Sequence, residues 1–165
     1  MNLRVLTIAG LVLSALLSGC SEENNEESSD NHEGHVHETT ESGDVREETS
    51  SYEQLPGFLD EKPEDMQNIY AAVAQNKDLL ENIPCYCGCG ETAGHRDNYD
   101  CFVHESREDE SLVWDDHGTK CGVCLEIAAQ AIVDHQDGKS VKEIREDIDK
   151  QYEDGYAEPT PTPEV

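Results

Sequence analysis

Apolar residues are grouped along this chain, with long polar runs between the groups. Val5 to Leu17 is almost continuously apolar. It is shorter than the roughly 20 apolar residues a bilayer-spanning helix needs. Further on, Met66, Ile69, Tyr70, Val73 and Ala74 recur at helical spacing. Pro63-Glu64-Asp65 ahead of them reads as a helix start, because Pro suits the first position and acids suit the positive end of the dipole. A break near Asn76 leads to a short helical turn with Leu79, Leu80 and Ile83, which Pro84 ends. A second periodic run spans about Lys120 to His135, with Val123, Ile127, Ala128, Ala131 and Ile132 on one face and Gly138 closing it. Ser140-Val141-Lys142-Glu143 is a capping box. It opens a last helix that turns Val141, Ile144, Ile148 and Tyr152 inward.

Between these helices, Cys85 to His117 is rich in Gly, Cys and Asp and shows little periodicity. It reads as turns and loops, with a short helical piece near Asn98–His104. The expected fold is therefore mostly α: three or four short helices around an irregular Cys/His-rich loop. No internal repeat is evident.

Charge changes the picture at the N-terminal side. The chain has 165 residues, 38 acidic and 11 basic, for a net charge of −27. That balance argues against nucleic acid as a partner, since a polyanion repels phosphates. The length argues against several domains and a polytopic membrane protein. Residues 21–51 carry eleven of the acids against one base, Arg46, with two valines as the only apolar side chains. So little to bury and so much like charge predicts a disordered, self-repelling linker. Its His32, His35 and His37 are accessory candidates for loose collection of metal ions, because imidazole is the commonest metal ligand.

The N-terminal apolar run then reads as an address. Arg4 supplies a positive start, and Leu17-Ser18-Gly19-Cys20 resembles a lipobox. In lipoproteins with that box, the chain is cut before the Cys and its thiol receives lipid. Cys20 is thus the expected lipidation site, and the expected location is the extracytoplasmic face of the cell membrane, where disulfides are permitted. The expected organisation is a signal peptide over 1–19, a linker over 20–52, a Cys-rich helical domain over 53–155 and an extended, unpacked tail over 156–165.

Six of the seven cysteines lie between Cys85 and Cys124. Cys85, Cys87 and Cys89 form a C-x-C-x-C run, Cys101 follows, and Cys121-x-x-Cys124 opens a helix. Cysteines two apart in an extended segment have Cα atoms about 6.5–7 Å apart. A disulfide wants about 4.4–6.8 Å and converging side chains. Bridges inside the run would be strained, whereas three thiolates converging on one soft cation would not. Soft thiolates select Cu(I), Zn or iron–sulfur clusters. A helix start also lowers thiol pKa at Cys121 and Cys124. Three readings stay open: a metal site, long-range structural disulfides, and a reactive thiol pair. His95 and His117 are the imidazoles best placed to complete a coordination sphere, with His104 behind them. Tyr86 is expected to pack beside the site, Trp114 and Phe102 to serve as core or lid, and Asp115-Asp116 to form a solvated turn. There is no phosphate-binding Gly loop, Ser–His–Asp pattern or nucleotide fingerprint, so the balance favours binding over catalysis.

Pro84-Cys85-Tyr86-Cys87-Gly88-Cys89 spells PCYCGC. With the lipobox, His95, Cys101-Phe102, His117 and Cys121-x-x-Cys124, the chain resembles the PCYCGC-motif lipoproteins of Bacillus-type bacteria over about residues 66–153. The resemblance implies a membrane-anchored extracytoplasmic protein with a metal or thiol role. A weaker resemblance, over residues 121–152, is to the CcmH-type proteins of cytochrome c maturation, small helical domains whose cysteine pair reduces apocytochrome thiols. Here four cysteines precede the pair, which departs from that pattern. The expectation is a lipid-anchored protein that binds copper or zinc through Cys85, Cys87, Cys89, Cys101, Cys121, Cys124, His95 and His117 for capture, storage or hand-off to an extracytoplasmic partner protein. A thiol–disulfide oxidoreductase and a disulfide-stapled interaction module are the alternatives.

Overall fold

The computed structural model describes residues 37–165. Three helices lie where periodicity places them. Helix α1 spans Glu64–Ala74, with Glu64 and Asp65 in its first turn and Tyr70 and Val73 buried. A single turn, α2, covers Lys77–Leu80. Later in the chain, α4 spans Gly122–Gln136 and α5 spans Val141–Gln151. The capping box is present: Ser140 accepts from the Glu143 N–H, and the Glu143 carboxylate accepts from the Ser140 N–H. Gly138 takes φ +95° just after α4, a left-handed conformation that ends a helix without a Cβ penalty. Helix α4 is central, packing against α1, α2 and α5. Its apolar face brings Cys124, Ile127, Ala128, Ala131 and Ile132 into the core.

The mostly α expectation is overturned by a four-stranded antiparallel sheet. Strands β1 (His37–Thr39), β2 (Val45–Thr49), β3 (Val103–Ser106) and β4 (Leu112–Asp115) run in the order β1-β2-β4-β3. The protein is mixed α and β. Two of these strands come from the acidic segment assigned to a disordered linker, so that segment is folded from residue 37 onward. The reason the pattern hid them is physical. On β2, the buried positions are Glu47 and Thr49, polar side chains that give no hydrophobic alternation. Each is satisfied inside: Glu47 accepts from the Gly57 and Phe58 N–H groups, and Thr49 Oγ1 accepts from Trp114 Nε1 at 2.8 Å. On β3, a register irregularity between Val103 and Glu105 breaks the period of two.

A short helix α3 (Cys89–Thr92) and single 3-10 turns at Tyr99–Cys101 and Asp116–Lys120 occupy the rest of the supposed loop. Sheet and helices share one core, where Tyr70 meets Phe102 edge to face at 4.9 Å and lies 6.2 Å from Trp114. Trp114 and Phe102 are thus core residues. Asp115 is fully buried, not solvated. It accepts from Arg46 Nε at 3.0 Å and from the His117 N–H at 2.9 Å.

The C-terminal tail is extended but not unpacked. Its Ala157 and Thr160 N–H groups donate to the Tyr86 and Cys85 carbonyls, at 3.1 and 3.0 Å. The Cys85 N–H donates to Thr160 Oγ1 at 2.9 Å, and Thr160 is buried. The tail thus clamps the start of the cysteine run. Among the described residues, no helix is long and apolar enough to cross a membrane. The expected signal peptide, Cys20, His32 and His35 lie outside the described residues. His37 starts β1, and its side chain lies outside them too.

Candidate metal centre

Four separate pieces of chain deliver the cysteines. Cys85 and Cys87 follow the turn after α2. Gly88, at φ +88°, is the left-handed residue that lets the chain double back into α3, whose first residue is Cys89. Cys101 ends a 3-10 turn. Cys121 is the N-terminal flanking residue of α4, and Cys124 lies in its first turn. All six are free thiols. Cys85, Cys101 and Cys124 are fully buried and Cys89 is nearly so, while Cys87 and Cys121 reach the surface in part.

The sulfurs converge. Cys85 Sγ is 3.4 Å from Cys87 Sγ and 3.3 Å from Cys124 Sγ. Cys87 Sγ is 3.5 Å from Cys124 Sγ, and Cys89 Sγ is 3.6 Å from Cys101 Sγ. A covalent S–S bond is about 2.05 Å, so these are packed thiols. The sulfurs around a tetrahedral Zn with bonds of about 2.3 Å stand about 3.8 Å apart, close to the observed spacing. Among the described residues, four groups of Cys and His donor atoms lie within 4.8 Å of one another, Cys85/Cys87/Cys89, Cys85/Cys101/Cys124, Cys87/Cys121/Cys124 and Cys89/His95/His117, and a fifth group joins His95 to the carboxylates of Asp44 and Asp115. These Cys/His groups could hold a metal ion. All six expected cysteines and both expected imidazoles belong to them. His104 is exposed on β3 and belongs to none.

The imidazoles are held in different ways. His117 Nε2 is 4.0 Å from Cys87 Sγ, and its Nδ1 is 3.2 Å from Asp44 Oδ1. Such an outer carboxylate orients a ligating imidazole and sets its tautomer. The Cys87 sulfur lifts the His117 pKa to about 9; burial opposes this and Asp44 supports it. His95 is 5% exposed and its Nδ1 has no partner. Burial, followed by the neighbouring His117 charge, holds it neutral. The rings meet edge to face, with centroids 4.6 Å apart.

Charge within the cluster is uneven. The neighbouring thiols, Cys101 first and then Cys121, Cys124 and Cys85, favour the thiolate form of Cys87 and push its pKa far down. Cys101 and then Cys124 bring Cys85 to about 4. Cys124 is pushed up by the same sharing, and burial pushes Cys101 up. The sharing thus favours the thiolate form at Cys87 and Cys85, and thiolate is the form that ligates a metal.

Sequence reading missed Asp44, Asp115, Asn98 and Thr160. Asp44 stood among many acids, and nothing local marked it as the partner of His117 and Lys120. Asn98 Nδ2 donates to the Cys124 carbonyl at 3.2 Å, fixing the first turn of α4. Tyr86 lies beside the site as expected, stacked on Tyr152 at 5.5 Å with its hydroxyl on Asp149.

Asp97 sits just outside the cluster with a buried carboxyl that accepts from the Asp100 N–H at 3.0 Å. Burial raises its pKa to about 6, against about 3.9 in an unfolded chain. The folded state therefore holds that proton more tightly. Stability from this group is full below about pH 4 and falls as pH rises through about 6. Asp97→Asn keeps the acceptor and removes the charge. In urea unfolding of the reduced, metal-free protein, the variant should match the parent near pH 4 and exceed it by on the order of 1–2 kcal/mol at pH 7.5. A variant less stable than the parent at pH 7.5 would contradict the burial cost.

A family model described as "Protein of unknown function with PCYCGC motif" matches residues 9–165. No curated protein and no solved structure matches the chain.

Proposed function

The chain belongs to the family of proteins of unknown function with a PCYCGC motif, and we propose that it captures a soft metal cation, copper(I) or zinc(II), for storage or hand-off. One observation carries this reading: six thiols and two imidazoles from distant parts of the chain fall into overlapping donor groups, each within 4.8 Å. Thiolate and imidazole donors select Cu(I) and Zn(II) over hard cations such as Mg²⁺ or Ca²⁺. The chemistry asked of the chain is binding. The thiols release protons as they ligate the incoming cation, and Asp44 holds the His117 ring in place.

The thiol–disulfide alternative gains less support. Cys121 and Cys124 do not form an isolated pair, because both also lie beside Cys87. A disulfide-stapled module is likewise poorly served by sulfurs that share several neighbours each. In the proposed setting, lipid on Cys20 tethers the domain to the extracytoplasmic face of the membrane, with His32, His35 and His37 as loose collectors ahead of it and a protein partner receiving the ion.

The test is metal uptake by the reduced full-length chain. Cu(I) or Zn(II) should remain bound against a chelating competitor and raise the unfolding midpoint, because an ion that binds only the folded state stabilises it. A reduced, folded chain that retains neither ion would sink the proposal.

A further inference from the structure

The geometry points to a centre for at least two cations held at once: one by Cys87, Cys121 and Cys124, the other by Cys89, His95 and His117, with the Cys85 and Cys101 sulfurs between them. This rests on the metal-binding reading and sharpens it from one ion to a shared-thiolate cluster.

Donor number is the first argument. A four-coordinate ion takes four donors, and eight converge here. The Cys87/Cys121/Cys124 and Cys89/His95/His117 groups share no residue, and in each the donor atoms lie within 4.8 Å of one another. A single ion could satisfy one group and would leave the other empty.

Position is the second. Cys85 belongs to a group with Cys87 and Cys89 and to another with Cys101 and Cys124. It therefore stands beside members of both three-donor groups. Cys101 does the same, 3.6 Å from Cys89 and grouped with Cys124. A thiolate sulfur has lone pairs enough to ligate two cations, so these two residues complete both coordination spheres.

The third argument is His95. Its Nδ1 is buried without a partner, and buried polar atoms are ordinarily satisfied. His95 belongs to the mixed sulfur and nitrogen group and to a second group with Asp44 and Asp115, and neither shares a residue with Cys87/Cys121/Cys124, so the unmet demand lies away from the all-sulfur group. An ion confined to Cys87, Cys121 and Cys124 would not meet it.

Native mass spectrometry of the reduced full-length chain, loaded to saturation with Zn(II) and separately with Cu(I), counts the ions directly. Two or more ions of either metal per folded chain are expected. The His95→Ala/His117→Ala double variant should hold fewer ions than the parent while keeping at least one, and circular dichroism checks that it is folded. One ion at most, with both metals, overturns the shared cluster and leaves the metal-binding reading standing. Binding of neither metal overturns both. An unchanged count in the folded double variant, or loss of every ion from it, overturns the division into two groups.

Discussion

Cys124→Ser is expected to weaken metal binding by more than the roughly 10–100-fold that loss of an outer partner costs. Cys124 sulfur contacts Cys85 at 3.3 Å and Cys87 at 3.5 Å, and it shares donor groups with Cys101 and Cys121. It therefore shares donor groups with four other thiols. Serine nearly matches cysteine in size, so α4 should keep its place through Ile127, Ala128 and Ala131. What changes is the donor: a hydroxyl is harder than a thiolate and does not ionise at neutral pH. Competition with a chelator measures the affinity. A thermal scan with and without metal gives a second readout, since the stabilisation by bound ion should disappear with the affinity. Cys121→Ser, at the partly exposed rim and in one donor group only, should cost less. Parent-like affinity in a folded Cys124→Ser chain would place the ion elsewhere.

Gly118→Ala is expected to destabilise the fold by about 3 kcal/mol, the upper end for overpacking a close-packed core. A Cβ at Gly118 would stand 2.6 Å from two ring carbons of Phe102 and 2.9 Å from the Tyr70 hydroxyl. Neither neighbour yields easily. Phe102 is fully buried edge-on to Tyr70, and the Tyr70 hydroxyl donates to the Asp115 carbonyl at 2.9 Å. The strain falls one residue from His117, so the site should suffer with the fold. Urea unfolding measures the loss, and Gly118→Ala/Phe102→Leu tests its origin. The double variant should cost less than the two single changes added together, because the smaller side chain leaves room for the methyl. A Gly118→Ala cost below about 0.5 kcal/mol, typical of exposed positions, would contradict this packing.

Much of the site was legible because its residues are chemically distinctive. Cysteine is rare enough that six within 40 positions point to one purpose, and Gly88 marks the bend that brings Cys89 back toward Cys85. The sheet was not legible. Glu47 and Thr49 face inward, and their satisfaction depends on Gly57, Phe58 and Trp114, which no local pattern announces. The acidic linker misled for the same reason: composition weighs what a segment can bury on its own, and β2 is stabilised by pairing with β4. The Thr-Pro tail likewise has no apolar signal, yet Thr160 closes on Cys85.

By itself, the sequence determined the helices α1, α4 and α5, the cap at Ser140, the set of soft donors and the family motif. Those features are written in short-range spacing and residue chemistry. Tertiary structure alone decided the sheet, the burial of Asp115, the Asp44 support of His117 and the overlap of the donor groups. Asp44 and His117 lie 73 positions apart, and Cys85 and Thr160 lie 75 apart. Contacts at that separation are set by how whole elements pack, and packing energy has no period along the chain.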